Sequence, residues 1–220
     1  MTHRPRRAAF FDMDKTLLRV NTAGLYARRE LREGRARRRD VARLSWWLLR
    51  YAFGVLDAEA VARRLVRPWQ GSPERDVIDA TSHWVASEVL GHLSTLGLAE
   101  VERRRAEGWD CVLLTSSTVY AATPVAQAAA IEHVLASRLR VQDGLFTGEV
   151  ETPFCFGHGK VAVAEAWAAM HAVDLGQSAF FTDSISDMPM LERVGEPVAV
   201  NPDLRLRWEA RRRGWPVLQW

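Results

Sequence analysis

Residues 8–17 read Ala-Ala-Phe-Phe-Asp-Met-Asp-Lys-Thr-Leu, and this stretch decides the fold. Ala8 to Phe11 form an apolar run that does not alternate and stops at Asp12. A short unbroken apolar run is the pattern of a strand buried on both faces, as in a parallel sheet. Two carboxylates, Asp12 and Asp14, follow at once, with Thr16 two residues further on.

Working outward, the same pattern recurs. Cys111 to Leu114 ends at Thr115 and Ser116, and Ala179 to Phe181 ends at Thr182 and Asp183. Val198 to Val200 ends at Asn201-Pro202, and Pro216 to Leu218 offers a fifth run. Helical patterns lie between them: Val101 to Glu107 with Gly108 as its stop, Pro124 to Leu135, Lys160 to Val173, and Asp187 to Val194. Strands alternating with helices predict an α/β fold, a Rossmann-like parallel sheet with helices on both faces. Leu139 to Val150, with Asp143-Gly144 at its centre, reads as a β-hairpin. Residues 19–96 break the rhythm with helical patterns only, over Leu25–Arg32, Val41–Val55, Ala58–Arg67 and Val77–Leu90. The expected organisation is therefore a catalytic core of residues 1–18 and 97–220, with an all-helical cap of residues 19–96 inserted after the first strand.

Composition narrows the class. The 220 residues are 48% hydrophobic, enough for a real core and against wholesale disorder. Cys111 and Cys155 show no CxxC spacing, which argues against a zinc site or a disulfide scaffold and suits a reducing cytoplasm. The apolar run behind the basic N-terminus is too short for a signal peptide, and no stretch reaches the roughly 18 apolar residues of a membrane span. A cytoplasmic protein is expected.

The net charge of +3 is unevenly placed. Arginines crowd residues 28–50 and 205–213, and Lys15 and Lys160 are the two lysines of the chain. Trp46, Trp47, Tyr51 and Phe53 among the arginines read as an amphipathic helix covering a site. A membrane surface of anionic lipid is the alternative partner for that helix. No recognised nucleic-acid motif accompanies the basic residues, so no nucleic acid is expected as a partner.

Ligand sites in open α/β sheets lie beyond the carboxyl ends of the strands. That rim collects Asp12, Asp14 and Thr16, then Ser116 and Ser117, then Asp183 and Asp187. Lys160 opens the helix leading to the third of these strands. Two unit charges about 4 Å apart at an effective dielectric of about 20 repel by roughly 4 kcal/mol. So many carboxylates therefore require a cation, and hard oxygen donors favour Mg²⁺ over zinc. A metal, a lysine and hydroxyls together suit a multiply charged oxyanion, of which phosphate is the obvious one.

The block from Phe11 to Leu17 resembles the first motif, DxDxT, of the haloacid dehalogenase superfamily. Thr115-Ser116 is similar to the second motif, Lys160 to the third, and Thr182-Asp183-Ser184-Ile185-Ser186-Asp187 to the fourth, in its DxxxD form. All four occur in order, with an insert between the first two, as in the phosphoserine-phosphatase-like branch. The resemblance implies a phosphatase acting on a small phosphomonoester; the alternatives are a phosphatase of a phosphorylated lipid headgroup at a membrane surface, or a basic peripheral binding protein with a vestigial phosphatase core. Asp12 would be the nucleophile and Asp14 the general acid and base, and its backbone carbonyl would ligate Mg²⁺. Thr16 and Ser116, with Ser117 beside it, would hold phosphate oxygens, and Lys160 would neutralise the transferring group. The metal set would be Asp12, Asp14, Asp183 and, from behind, Asp187, which would hold the metal's water or Lys160. Two departures are visible. Thr182 stands where the fourth motif usually has glycine. Asn21 stands where phosphoserine phosphatases usually carry a glutamate that reads the substrate's ammonium, which points away from phosphoserine itself.

Overall fold

The computed structural model describes residues 6–34 and 66–220. Six parallel strands form one sheet: β1 (Ala8–Phe11), β2 (Asp110–Thr118), β3 (His133–Ser137), β6 (Ala179–Thr182), β7 (Glu196–Val200) and β8 (Val217–Leu218). Their spatial order is β3-β2-β1-β6-β7-β8. The chain moves outward from β1 to β2 and β3, then returns to β6 and moves outward on the other side. The order therefore reverses between β1 and β6, where Phe10 pairs with Phe180 and Phe11 with Phe181. Such a switch point opens a crevice at the strands' carboxyl ends.

The unbroken apolar runs do what the pattern implies. Every residue of β1 and of β6 is buried. Ala9, Phe11, Leu113 and Phe181 face one layer of helices, α3 (Thr95–Ala106) and α4 (Val119–Ala128). Phe10, Val112, Leu114 and Phe180 face the other, made by α5 (His158–His171), α6 (Met188–Arg193) and α7 (Leu204–Arg213). Fully burying side chains of this size stabilises the fold by about 1.5–3 kcal/mol each. β4 (Leu139–Gln142) and β5 (Leu145–Val150) form the expected antiparallel hairpin. Asp143 and Gly144 both take positive φ there, as a tight two-residue turn requires.

Of the expected helical insertion, the described part holds α1 (Thr22–Arg32) and α2 (Glu74–Trp84), followed by a wider helical turn over Val85–Val89. Its two ends meet. Leu18 bridges antiparallel to Leu93, and the Arg19 amide donates to the His92 carbonyl at 2.9 Å. The expected helix over Val41–Val55, with Trp46, Trp47, Tyr51 and Phe53, lies outside the described residues, as do residues 58–65.

Two element readings need correction. The helix expected over Pro124–Leu135 begins five residues earlier, at Val119, and keeps Pro124 inside it. Its expected last turns are instead β3, because Ala130, at φ +52, turns the chain without a glycine. The helix expected from Val101 begins at Thr95, where the Ser94 side chain accepts from the Gly97 amide. The C-terminal arginine cluster, for which the sequence suggested no element, lies on α7, whose Leu206 and Ala210 are buried.

Candidate active site

The residues that follow β1 are placed by a local device. Directly after β1 the chain makes a tight turn over Met13–Leu17, in which Lys15 takes φ +53. The Asp12 amide still donates to the Phe181 carbonyl at 2.9 Å, so Asp12 belongs to the sheet while its side chain leaves it. The turn buries Thr16, whose Oγ1 has no hydrogen-bond partner among the described residues. Asp14 points to the start of α1, where its Oδ1 accepts from the Thr22 amide at 2.9 Å and its Oδ2 from the Thr22 hydroxyl at 3.0 Å. A helix N-terminus with a carboxylate against it is electrostatically favourable.

Lys160 enters from α5. Gly159, just before it, is packed so tightly that a Cβ there would sit 1.8 Å from the Phe154 carbonyl oxygen. That close approach brings the first turn of α5 onto the loop and sends Lys160 inward, where it is 2% exposed. Its Nζ donates to Asp12 Oδ1 at 2.7 Å and to Asp187 Oδ2 at 2.8 Å. The same Asp187 oxygen accepts from the Thr182 hydroxyl at 2.6 Å. One buried chain therefore runs Thr182–Asp187–Lys160–Asp12 across the β1/β6 switch point. Asp183 stands beside it, its Oδ2 3.9 Å from Lys15 Nζ.

The second strand behaves differently. Its pairing with β3 is irregular between Leu114 and Thr118, which are the residues flanking Thr115, Ser116 and Ser117. Such a bulge re-aims a strand end. Ser116 is exposed, and its carbonyl accepts from the Ser137 hydroxyl at 2.9 Å. The Ser117 amide donates to Thr115 Oγ1 at 3.1 Å.

A model of the family described as haloacid dehalogenase-like hydrolase matches residues 9–192. The chain belongs to this family. The hydrolase is 32% identical to a probable phosphatase of Mycobacterium tuberculosis, over 98% of this chain and 76% of the relative. It is 27% identical to the histidinol-phosphatase of Neisseria meningitidis serogroup C, over 97% of this chain and 98% of that one. A solved structure of a phosphoserine phosphatase, described as a phospho-aspartyl intermediate analogue, superposes with a TM-score of 0.70. That match covers 98% of this chain and 94% of the other at 18% identity, so it speaks for the fold.

The electrostatics of the hydrolase's rim follow from burial. Burial pushes Asp12 well above the usual carboxylate range, against the pull of Lys160. Burial raises Asp14 too, with the two Thr22 bonds opposing. Asp183 is pushed up to about 8, by burial first and by the Asp12 charge next. Burial alone would lower Lys160, but Asp12 and Asp187 outweigh it and hold the ammonium charged. One buried cation thus faces more acid than it can neutralise.

Among the described residues, no three His, Cys, Asp or Glu side chains group closely enough to hold a metal by themselves. The donors that would fit a hard cation are the side chains of Asp12 and Asp183 with the Asp14 backbone carbonyl, leaving positions for water and a phosphoryl oxygen. Burial first and the Asp12 charge next work against a charged Asp183, and a divalent ion there would favour the carboxylate.

Several site residues were not anticipated. Thr182, seen in the sequence as a departure from glycine, clamps Asp187. Thr22 orients Asp14, and the signal for it was a helix N-terminus lying eight residues downstream. Asn21 caps α1, accepting from the Gly24 amide at 2.9 Å. Asp203 accepts from the Ile185 amide at 2.8 Å and so braces the loop behind Asp183. Nothing in the spacing of Asp203 singled it out. Among the described residues, no helix is long and apolar enough to cross a membrane.

Proposed function

We propose that the protein is a Mg²⁺-dependent phosphomonoester hydrolase that works through an aspartyl-phosphate on Asp12, with a small phosphorylated metabolite as its substrate. The observation that carries this reading is the buried contact of Lys160 with both Asp12 and Asp187 at the sheet's switch point. In this reading Asp12 attacks phosphorus with its Oδ atom, and the bond to the leaving oxygen breaks as the new one forms. Asp14 donates its proton to that leaving oxygen. It then takes a proton from the water that attacks the aspartyl-phosphate, which frees inorganic phosphate. Burial raises the proton affinity of Asp14, the direction a general acid needs, and Thr22 holds the carboxyl in place for both transfers.

Lys160 offsets charge on the transferring group without moving, because Asp187 and Thr182 fix it from behind. The unpartnered Thr16 hydroxyl, Ser116 and Ser117 would take phosphoryl oxygens. Bound Mg²⁺, held by Asp12, Asp183 and the Asp14 carbonyl, would add positive charge on a phosphoryl oxygen. We also read residues 19–96 as the cap that selects the leaving group, and the setting as cytoplasmic, in keeping with two buried free cysteines. Asn21 spends its side-chain oxygen on capping α1, which fits an alcohol phosphate other than phosphoserine. The histidinol-phosphatase relative makes amino-alcohol phosphates the first panel to try.

The test is hydrolysis of an aryl phosphate by the purified chain. Activity that needs Mg²⁺ and drops at least about a thousandfold in Asp12→Asn agrees with the reading. Equal activity with a chelator present, or in Asp12→Asn, would sink it.

A further inference from the structure

We propose that Lys15 is a built-in cation that pairs loosely with the ionised form of Asp183 and thereby weakens the site's hold on Mg²⁺. The inference rests on the reading above, in which Asp183 is a metal ligand.

Lys15 takes φ +53, a left-handed conformation that glycine adopts freely and lysine does not. Strain of this kind persists only where the surroundings impose it, and it collects at functional sites. Here the imposing groups are visible. The Lys15 amide donates to the Val20 carbonyl at 3.1 Å. The Asn201 side-chain amide donates to the Lys15 carbonyl at 3.0 Å, and Asn201 Oδ1 accepts from the Trp220 amide at 3.0 Å. The backbone is thus pinned from two sides, and the pinned conformation carries the ammonium to Asp183.

The contact it makes is a loose one. Nζ lies 3.9 Å from Asp183 Oδ2, and the lysine side chain is 55% exposed while that of Asp183 is 13% exposed. Lys160, by contrast, touches its two acids within hydrogen-bond distance and is buried. A half-solvated point charge at that range compensates a carboxylate without locking it, so a divalent ion can displace it. The residue type agrees. Lysine and arginine together number 30, of which only Lys15 and Lys160 are lysine. Arginine would grip Asp183 with a planar two-pronged fork and be harder to dislodge, whereas lysine is a compact single charge. The positive charge stays beside the metal after displacement, so it lowers Mg²⁺ affinity and moves the enzyme's response to higher Mg²⁺ concentration.

The experiment is calorimetric titration of Mg²⁺ into the substrate-free chain, in wild type, Lys15→Met and Lys15→Arg. Removing a half-exposed unit charge beside a divalent site should tighten binding about tenfold in Lys15→Met. Lys15→Arg should bind Mg²⁺ more weakly than wild type, by roughly threefold or more, because the charge is kept and its fork is harder to displace. The rise in melting temperature on adding Mg²⁺ should also be larger in Lys15→Met than in wild type. If Lys15→Met does not fold, Lys15→Gly relaxes the backbone and carries the same comparison. Equal Mg²⁺ affinity in wild type and the neutral variant overturns the role of Lys15 while leaving Mg²⁺ dependence intact. No Mg²⁺ binding by wild type overturns both readings.

Discussion

The two lysines sit within reach of the same acidic rim and are built in opposite ways. Lys160 is 2% exposed and bonded to Asp12 and Asp187 at 2.7 and 2.8 Å. Lys15 is more than half exposed and 3.9 Å from Asp183. The difference teaches which part of the site is architecture and which part is exchangeable. A desolvated charge pair holds its geometry because separating it strands a charge in low dielectric. A solvated pair costs little to open, because water and salt screen it. The floor of the site is therefore fixed before any ligand arrives, and its mouth is left to be completed by one.

Breaking the floor should have the largest effect. Lys160→Met leaves Asp12 and Asp187 buried without their cation, and stability should fall by about 3–5 kcal/mol. Activity should fall by about 10³-fold, since a group that offsets transferring charge is lost. Urea denaturation and steady-state rates on an aryl phosphate check both. Near-wild-type stability would mean that the buried network is not what holds this end of the sheet.

A smaller effect is expected from Thr182→Val, which keeps shape and removes the hydroxyl that bonds Asp187 at 2.6 Å. Lys160 keeps its partners, so the loss should be about 1–2 kcal/mol. The rate should drop by about tenfold, because Asp187 is less firmly aimed. A rate unchanged within error would show that Thr182 only fills space.

The mildest probe is pH in the absence of metal. Burial and the Asp12 charge push Asp183 from 3.8 up to about 8, and burial moves Asp12 in the same direction. The folded chain then holds protons that the unfolded chain has released. Stability from these groups is complete below about pH 4 and is lost as pH rises through about 8. The melting temperature of the metal-free chain should decline from about pH 5 to about pH 9, and saturating Mg²⁺ should flatten that slope. A metal-free melting temperature that climbs over this range would contradict the assigned electrostatics.

The fold was readable where local chemistry and tertiary context agree. Phe10, Phe11, Phe180 and Phe181 are buried on both sheet faces, so their apolar runs carried the whole signal. The hairpin was readable because Asp143-Gly144 satisfies its turn by itself. β3 was not, because an alanine-rich stretch favours helix and the turn at Ala130 uses no glycine or proline. The same hidden strand obscured the irregular pairing that flanks Ser116 and Ser117. α7 was obscured by arginines at five of its ten positions, although Leu206 and Ala210 give it a buried side.

In the site, the gathering of Asp12, Asp183, Asp187 and Lys160 at one end of the sheet was readable because each ends an apolar strand run or opens a neighbouring helix, and the four segments occur in order. Thr182, Thr22, Asn201 and Asp203 were not. Each acts through a hydrogen bond to a group far away in sequence or to the backbone, and a single short polar residue shows no such partner until the chain is folded.

The most direct measurement is mass spectrometry of the chain quenched in acid during turnover of a phosphomonoester with Mg²⁺. A phosphoryl group is expected on the peptide that contains Asp12 in wild type, and no such group in Asp12→Asn. A turning-over enzyme with no phosphoryl on that peptide, or with the group on another residue, would contradict this expectation.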